Sequence, residues 1–530
     1  MRRHVSRGPG YSSTILVDRQ GRIRLSTDAG EGAFTPGSHR EPLDRTRHDA
    51  VEKRPMKREF STAAAWSAAA AWMEQAAAAL IFLVIARIIG VESFGIASMA
   101  FAFLFLGEFL VRDTITEAII ERETLEDGRL EATFFALTGV ALAIMVALIG
   151  VAQLVAHLYG QPSVAPLLTT VSPAVLMIGL GGVSTALLRR RMEYKTLAIR
   201  TIVGVTVGGL VGIAMALNGY GAWSLVGQRL AELGLNSVLA ILGARWWPRR
   251  LPIRAELGLI RGLGPRVLKL RTWTLVVNQT PTVMLGIFAD PRAAGLFAFS
   301  ARLIEIVIKV SVRVIQGVAQ SAIAELRRKT GRTSGFFLDL TELSAFAGFV
   351  SLTGLAMVAF PLTRVLLGPE WDTAGQIIPF LCVAGAAMAL TATQEAYLLA
   401  LDRVDGYLGV IAIEAVLGVI LIGFASSFGA VAAAAAVALR AMLVLPFCTR
   451  AALAPEAIPA RGFVHALASP AIVAIAMGLV VALWRLFALG RIGDITYLAL
   501  AVLIGMAMAL IAVVGFMPAT FARLKSYVRA

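Results

Sequence analysis

Cysteine, histidine and charge are scarce in this chain, whose 530 residues include two cysteines, five histidines and only 16% Asp, Glu, Lys and Arg. Cys382 and Cys448 both fall inside apolar stretches, so there is no disulfide framework and redox chemistry is not the expected role. His4, His39, His48, His157 and His465 have no metal-ligand spacing, and neither HExxH nor CxxC occurs. A GxxxxGK(S/T) loop is also missing, so the chain is not expected to be its own ATPase. No soluble segment is long enough for a glycosyltransferase. The expectation is a chain with no catalytic residues, no metal and no cofactor, and not an enzyme.

Apolar residues are abundant instead: 58% of the chain, with a mean hydropathy of +0.76. That balance belongs to an integral membrane protein. Crossing the hydrocarbon takes roughly 20 apolar residues, and fourteen such runs lie between about 61 and 516. They are continuous and Ala/Leu/Val-rich, whereas barrel strands alternate over about ten residues, so an all-α fold of about 14 transmembrane helices is predicted.

The net charge of +15 is placed unevenly. With a cytoplasmic amino terminus, Arg189, Arg190, Arg191, Lys195, Arg200, Arg249, Arg250, Arg327, Arg328 and Lys329 fall in inside loops, while the outside loops hold only Arg87, Arg292 and Arg491. This is the positive-inside pattern. It explains the basicity without nucleic acid and puts both termini in the cytoplasm of a multi-pass inner-membrane protein. Residues 1–60 are polar and Gly/Arg-rich, predicting a disordered basic cytoplasmic tail without a signal-peptide core, and Met56 offers an alternative start.

The sequence repeats itself. "VESFGIASMAF" is echoed by "DPRAAGLFAFS", aligning Gly95 with Gly295; "LYGQPSVAPLL" by "LLGPEWDTAGQII"; and "YGAW" at Tyr220 by "FGAV" at Phe428. Two parallel six-helix lobes are expected, at 61–250 and 251–455, with helices 13 and 14 and a short tail at 456–530. Parallel repeats of this kind place a substrate cavity between them and work by rocking. Within the fifth span, Gly204, Gly208 and Gly212 predict close helix packing.

The eighth span, about 293–318, carries Arg302, Glu305, Lys309, Arg313, Gln316 and Gln320. At 100° per residue these fall within an arc of about 80°. A charge facing lipid at mid-bilayer costs roughly 2.5 to 3.5 kcal/mol, so this face should look into protein or water. Three cations against Glu305 make it electropositive and suited to phosphate or carboxylate oxygens. Arg302, Lys309, Arg313, Gln316, Gln320 and, from the seventh span, Lys269 are the candidate substrate-binding residues. Glu305 and Glu74 are the candidates for coupling to a proton or sodium ion. Glu108 with Arg112 and Arg229 with Glu232 have spacings that predict local neutralising pairs, and Arg266 and Arg440 sit where they could snorkel to the headgroups.

"GVESFGIASMAFAF", "EAIIERETLEDGRLEATFFAL", "LYGQPSVAPLL", "ALLRRRMEYKTLAI", "GYGAWSLVGQRL", "ARWWPRR" and "LLGPEWDTAGQIIPFL" together resemble the Wzx-type polysaccharide flippases of the multidrug/oligosaccharidyl-lipid/polysaccharide exporter superfamily. The resemblance runs from about Ser61 to about Gly515. It implies a two-lobed bacterial inner-membrane protein with a cationic central cavity. Such a protein moves a polyprenyl-pyrophosphate-linked oligosaccharide between leaflets by alternating access, for exopolysaccharide or lipopolysaccharide synthesis, with membrane lipids as its other partner. The chain departs from the family at Arg112-Asp113-Thr114-Ile115, where a glycine turn is common. Two alternatives stay open: a cation-coupled drug or metabolite exporter of the same superfamily, and a peptidoglycan-precursor flippase.

Overall fold

In a computed structural model of the chain, residues 13–17, 23–27, 45–114, 127–251, 265–403, 405–488 and 492–516 are described. Residues 1–64 and 65–530 form separate units. The first contains an antiparallel hairpin of β1 (Ser13–Val17) and β2 (Ile23–Thr27), with Ser13 opposite Thr27 and Val17 opposite Ile23, and the start of α1 (Arg45–Thr114). Both strands fall within the segment that composition alone predicts to be disordered. "STILV" and "IRLST" are two short runs rich in β-branched and aliphatic residues, which favour strand.

In the second unit α1 continues to Gly90, where φ 75 and ψ 171 break the helix into two spans. An L side chain avoids that backbone, and glycine does not. There follow α2 (Asp127–Leu158), α3 (Val164–Val171), α4 (Pro173–Arg190), α5 (Tyr194–Leu217) and α6 (Trp223–Ala244). The second repeat comprises α7 (Pro265–Phe288), α8 (Pro291–Ser311), α9 (Arg313–Thr330), α10 (Ser334–Leu367), α11 (Asp372–Ala400), α12 (Asp405–Ser426) and α13 (Ala430–Leu453). Two more, α14 (Ala460–Ala488) and α15 (Asp494–Phe516), pack on α10 and on each other. Taking α1 as two spans and α3–α4 and α8–α9 as one each, this is a fourteen-span helical membrane protein. Among the described residues, eleven stretches are long and apolar enough to cross a membrane by themselves. The α8 helix is not among them, because Arg302, Glu305 and Lys309 sit in its length.

Helices pack within each repeat, some of them distant in sequence: α2 on α4, α4 on α6 and α5 on α6 in the first, α7 on α12, α10 on α11 and α11 on α13 in the second. The α5 glycines make the α5–α6 approach possible. A Cβ on Gly204 would stand 2.6 Å from Asn236 Oδ1, one on Gly208 2.8 Å from Glu232 Cβ, and one on Gly212 2.8 Å from Gln228 Cβ.

The two repeats meet where their equivalent glycines cross. A Cβ on Gly95 would lie 1.7 Å from the carbonyl oxygen of Pro291, and one on Gly295 2.6 Å from that of Val91. Around this crossing Phe299 lies 5.2 Å from Phe82 and 4.8 Å from Trp371, with Phe94 edge-on to Trp371 at 5.8 Å. Arg87 of the first repeat donates to Leu366 O of the second at 2.9 Å. One apolar core spans both repeats here, joining Ile85, Met99 and Leu168 to Phe299, Trp371 and Ile377. At the other end the cores are separate. Leu130, Phe134, Val183 and Leu187 belong to the first repeat alone, and Ile323, Phe337, Tyr397 and Tyr407 to the second. The repeats are sealed together at the Gly90 end and packed independently at the end bearing Arg189–Arg191 and Arg327–Lys329.

Candidate functional site

The α8 helix starts at the sealed end, where Asp290 caps it by accepting from Ala293 N at 2.6 Å and Pro291 occupies its first turn. Gly295 is used in the crossing. Beyond it the helix divides by face. Ile304 and Ile308, each 5% exposed, turn toward α11, where a Cβ on Gly385 would stand 3.0 Å from Ile304 Cγ2. On another face Arg302, Glu305 and Lys309 succeed one another at helical spacing. Arg302 Nη1 lies 2.6 Å from Glu305 Oε2, and Lys309 Nζ lies 2.7 Å from Glu305 Oε1. Their side chains are 30–41% exposed, so the row is half-buried. Glu305 therefore clasps two of the cations that the sequence leaves uncompensated, and the three residues act as one row with a net positive charge of one.

The expected single ribbon of 302–320 does not run straight. Val312 takes φ −102 and ψ −42, ending α8 at Ser311 and starting α9 at Arg313. Gln316, on α9, has its Nε2 buried without a hydrogen-bond partner among the described residues. The side chains of Arg313, Gln320 and Lys269 lie outside the described residues.

Glu74, on α1, faces a cavity of about 190 Å³ in the first repeat, whose lining also includes Arg189, Arg200, Arg229, Glu232 and Asn236. Arg229 forms a two-pronged bridge to Glu108 of α1 through Nε, at 3.0 Å, and Nη2, and lies 3.6 Å from Glu232. The Glu232 partner was legible as an i,i+3 pair. The Glu108 partner was not, because it comes from another helix. Arg189 and Arg200 were assigned to loops on charge alone, yet Arg200 points inward and donates to Thr185 Oγ1 at 2.6 Å. Its place four residues into the fifth apolar run was the available signal. In the second repeat Arg440 does not snorkel: at 6% exposed, it sits 3.5 Å from Glu414 and donates to Val277 O at 3.2 Å.

Fourteen spans in two repeats, joined at one end and packed independently at the other, are the architecture of a multi-span membrane transporter. Solved structures agree on the fold. The lipid II flippase MurJ in an inward closed conformation superposes with a TM-score of 0.70 at 15% identity, over 85% of this chain and 98% of that one. An inward-facing multidrug resistance MATE family transporter of the MOP superfamily gives 0.54 at 13%, over 75% and 95%. The family described as "Polysaccharide biosynthesis protein" matches residues 84–376, and the chain belongs to that family. Its curated relatives include the succinoglycan biosynthesis transport protein ExoT of Rhizobium meliloti (strain 1021), 25% identical over 59% of this chain and 64% of ExoT. Another is the lipopolysaccharide biosynthesis protein WzxC of Escherichia coli (strain K12), 22% identical over 64% of this chain and 70% of WzxC. The match thus spans somewhat less than two thirds of ExoT's length. The family is one of transporters, not of enzymes.

Proposed function

We propose that the chain moves a polyprenyl-pyrophosphate-linked oligosaccharide across the inner membrane, with the sealed end periplasmic, the basic-loop end and both termini cytoplasmic, and the repeats rocking about the Gly95–Gly295 crossing. The observation that carries this reading is the α8 row. Arg302 and Lys309 follow Gly295 along α8 and are both held by Glu305. Guanidinium and ammonium groups suit pyrophosphate oxygens. An arriving pyrophosphate competes with Glu305 for both cations, so binding loosens a pre-formed pair instead of ordering free side chains.

Charge-assisted hydrogen bonds are worth ~1.5–3 kcal/mol. The R302Q and K309Q variants are therefore each expected to lower export by about ten- to a hundredfold at limiting substrate, with normal membrane insertion and a build-up of cytoplasm-facing lipid-linked sugar. Full export by the double variant R302Q/K309Q rejects the row as the binding site.

Of the two coupling candidates, Glu74 is the better placed. Glu305 is already clasped by two cations, whereas Glu74 faces the cavity with no hydrogen bond or ion pair among the described residues. The E74Q variant is expected to keep lipid binding and lose the dependence of export on a proton or sodium gradient. If that dependence persists, the coupling group is another residue.

A further inference from the structure

Each repeat hands the chain on, at the basic-loop end, through an irregular stretch: residues 245–251 after α6 and 454–459 after α13. Backbone amides in such stretches, like those in the first turn of a helix, have no intrahelical acceptor and must find one elsewhere. In both repeats one carboxylate meets that need. Glu131, near the start of α2 and 6% exposed, accepts from Arg249 N at 3.1 Å and Arg250 N at 3.2 Å, and its other oxygen lies 2.8 Å from Arg250 Nε. In the second repeat the carboxylate sits on the opposite partner. Glu456, inside the exit stretch, accepts from Thr333 N at 3.1 Å and from Thr333 Oγ1 at 2.5 Å, and so caps α10 from another segment. As α2 and α10 are the third and ninth spans, both contacts tie the same two places: the start of a repeat's third span and the chain leaving its sixth.

Packing reinforces each tie. Phe134, three residues beyond Glu131, meets the rings of Trp246 and Trp247 at 6.0 and 5.4 Å. Phe337, four residues beyond Thr333, stacks on Tyr397 at 4.2 Å, in a core that also holds Leu453 and Ile458 from either side of Glu456. Arg245 and Ala457 take φ 49 and 50, a left-handed backbone that such residues keep only where their surroundings fix it. The two ties share a place but no residue, with donor and acceptor exchanged. We propose that Glu131 and Glu456 are latches, positioning residues that close the basic-loop end of each repeat into a rigid body, so that this end opens between the repeats and not within either. This rests on the rocking motion of the proposed function. Separate cores leave the repeats free of one another here, and the latches keep the exit stretches from absorbing the motion.

The test reads distances between spin labels on the full-length protein in detergent, with and without polyprenyl pyrophosphate. Cysteine pairs replace exposed residues: Lys195 with Leu251 across the first latch, Arg403 with Ala460 across the second, and Lys195 with Arg403 between the repeats. The lipid is expected to shift the Lys195–Arg403 distance by several ångströms and to leave both within-repeat distances narrow and unmoved. Glu131→Ala is expected to broaden the Lys195–Leu251 distribution about twofold and spare Arg403–Ala460, and Glu456→Ala to do the converse. Both are expected to lower export about tenfold while the affinity for polyprenyl pyrophosphate holds, a loss of motion and not of binding. Should an alanine variant not fold, Glu131→Gln and Thr333→Val, which each remove only part of a latch, carry the same comparison with smaller broadening. A native within-repeat pair that moves as far as the between-repeat pair, or native distances in the variants of both latches, overturns the latches and leaves the rocking reading standing. A Lys195–Arg403 distance that never moves overturns the rocking reading, and the latches with it.

Discussion

Arg440 holds its Nε 3.5 Å from Glu414 Oε1, an ion pair too long for a good hydrogen bond, and its Nη1 donates to the carbonyl of Val277. One side chain on α13 thereby ties α12 and α7, and Gly418 leaves the room: a Cβ there would lie 2.9 Å from Arg440 Nη1. Removing one partner of such a pair strands the other charge, which typically costs ~3–5 kcal/mol, whereas replacing both can be nearly neutral. R440M is therefore expected to lower the melting temperature of the purified protein sharply, and R440M/E414M to recover most of the loss. A single variant that melts like the native protein means the pair carries no structural weight. Neither this pairing nor that of Arg229 with Glu108 could be read from sequence. Spacing along one helix shows which charges share a face, not which neighbouring helix faces them. For the same reason Glu305's double clasp was half legible: its two partners lie on its own helix, but that both close on it at once is a matter of rotamers.

At the scale of elements, the Gly95–Gly295 crossing joins two helices backbone to backbone. Alanine at either position puts a methyl inside the partner's main chain, so the helices must separate. Overpacking of this kind costs typically ~1–3 kcal/mol. G95A and G295A are expected to destabilise the sealed end selectively, seen as faster hydrogen exchange at residues 91–99 and 291–300 with little change in α5 and α6. Uniform loss of protection would mean the crossing is not a local contact. The crossing was partly legible: the repeat alignment paired these two glycines, and they proved to touch each other across the junction. The α5 glycines were likewise readable, since a four-residue spacing of small residues predicts a close neighbour. The break at Val312 was not, because no proline or glycine marks it and the apolar pattern runs through. It is the reason the ribbon of 302–320 is split between α8 and α9.

For the whole molecule, the decisive asymmetry is in the cores: one shared core at the Gly90 end and two separate ones at the other. A protein that rocks must be able to part the shared core, and among the described residues few polar bonds oppose this. Arg87 to Leu366 O, an exposed contact, is one that crosses between the repeats. Its loss is expected to favour parting by about 1 kcal/mol, close to fivefold in population. The probe is a cysteine replacing Ser98, one helical turn from Gly95. Both native cysteines, Cys382 and Cys448, are buried, so background labelling is low. In intact cells, R87A is expected to raise the rate at which a membrane-impermeant maleimide labels S98C about fivefold, and added lipid-linked substrate to change it again. Labelling from the periplasm supports the proposed orientation, because loops poor in Arg and Lys belong outside. Labelling that occurs only from the cytoplasmic face of inverted vesicles reverses it. A rate unaffected by R87A would assign the seal to the Phe82, Phe94, Phe299 and Trp371 rings alone, where apolar packing rather than a rim bond sets how often the sealed end opens.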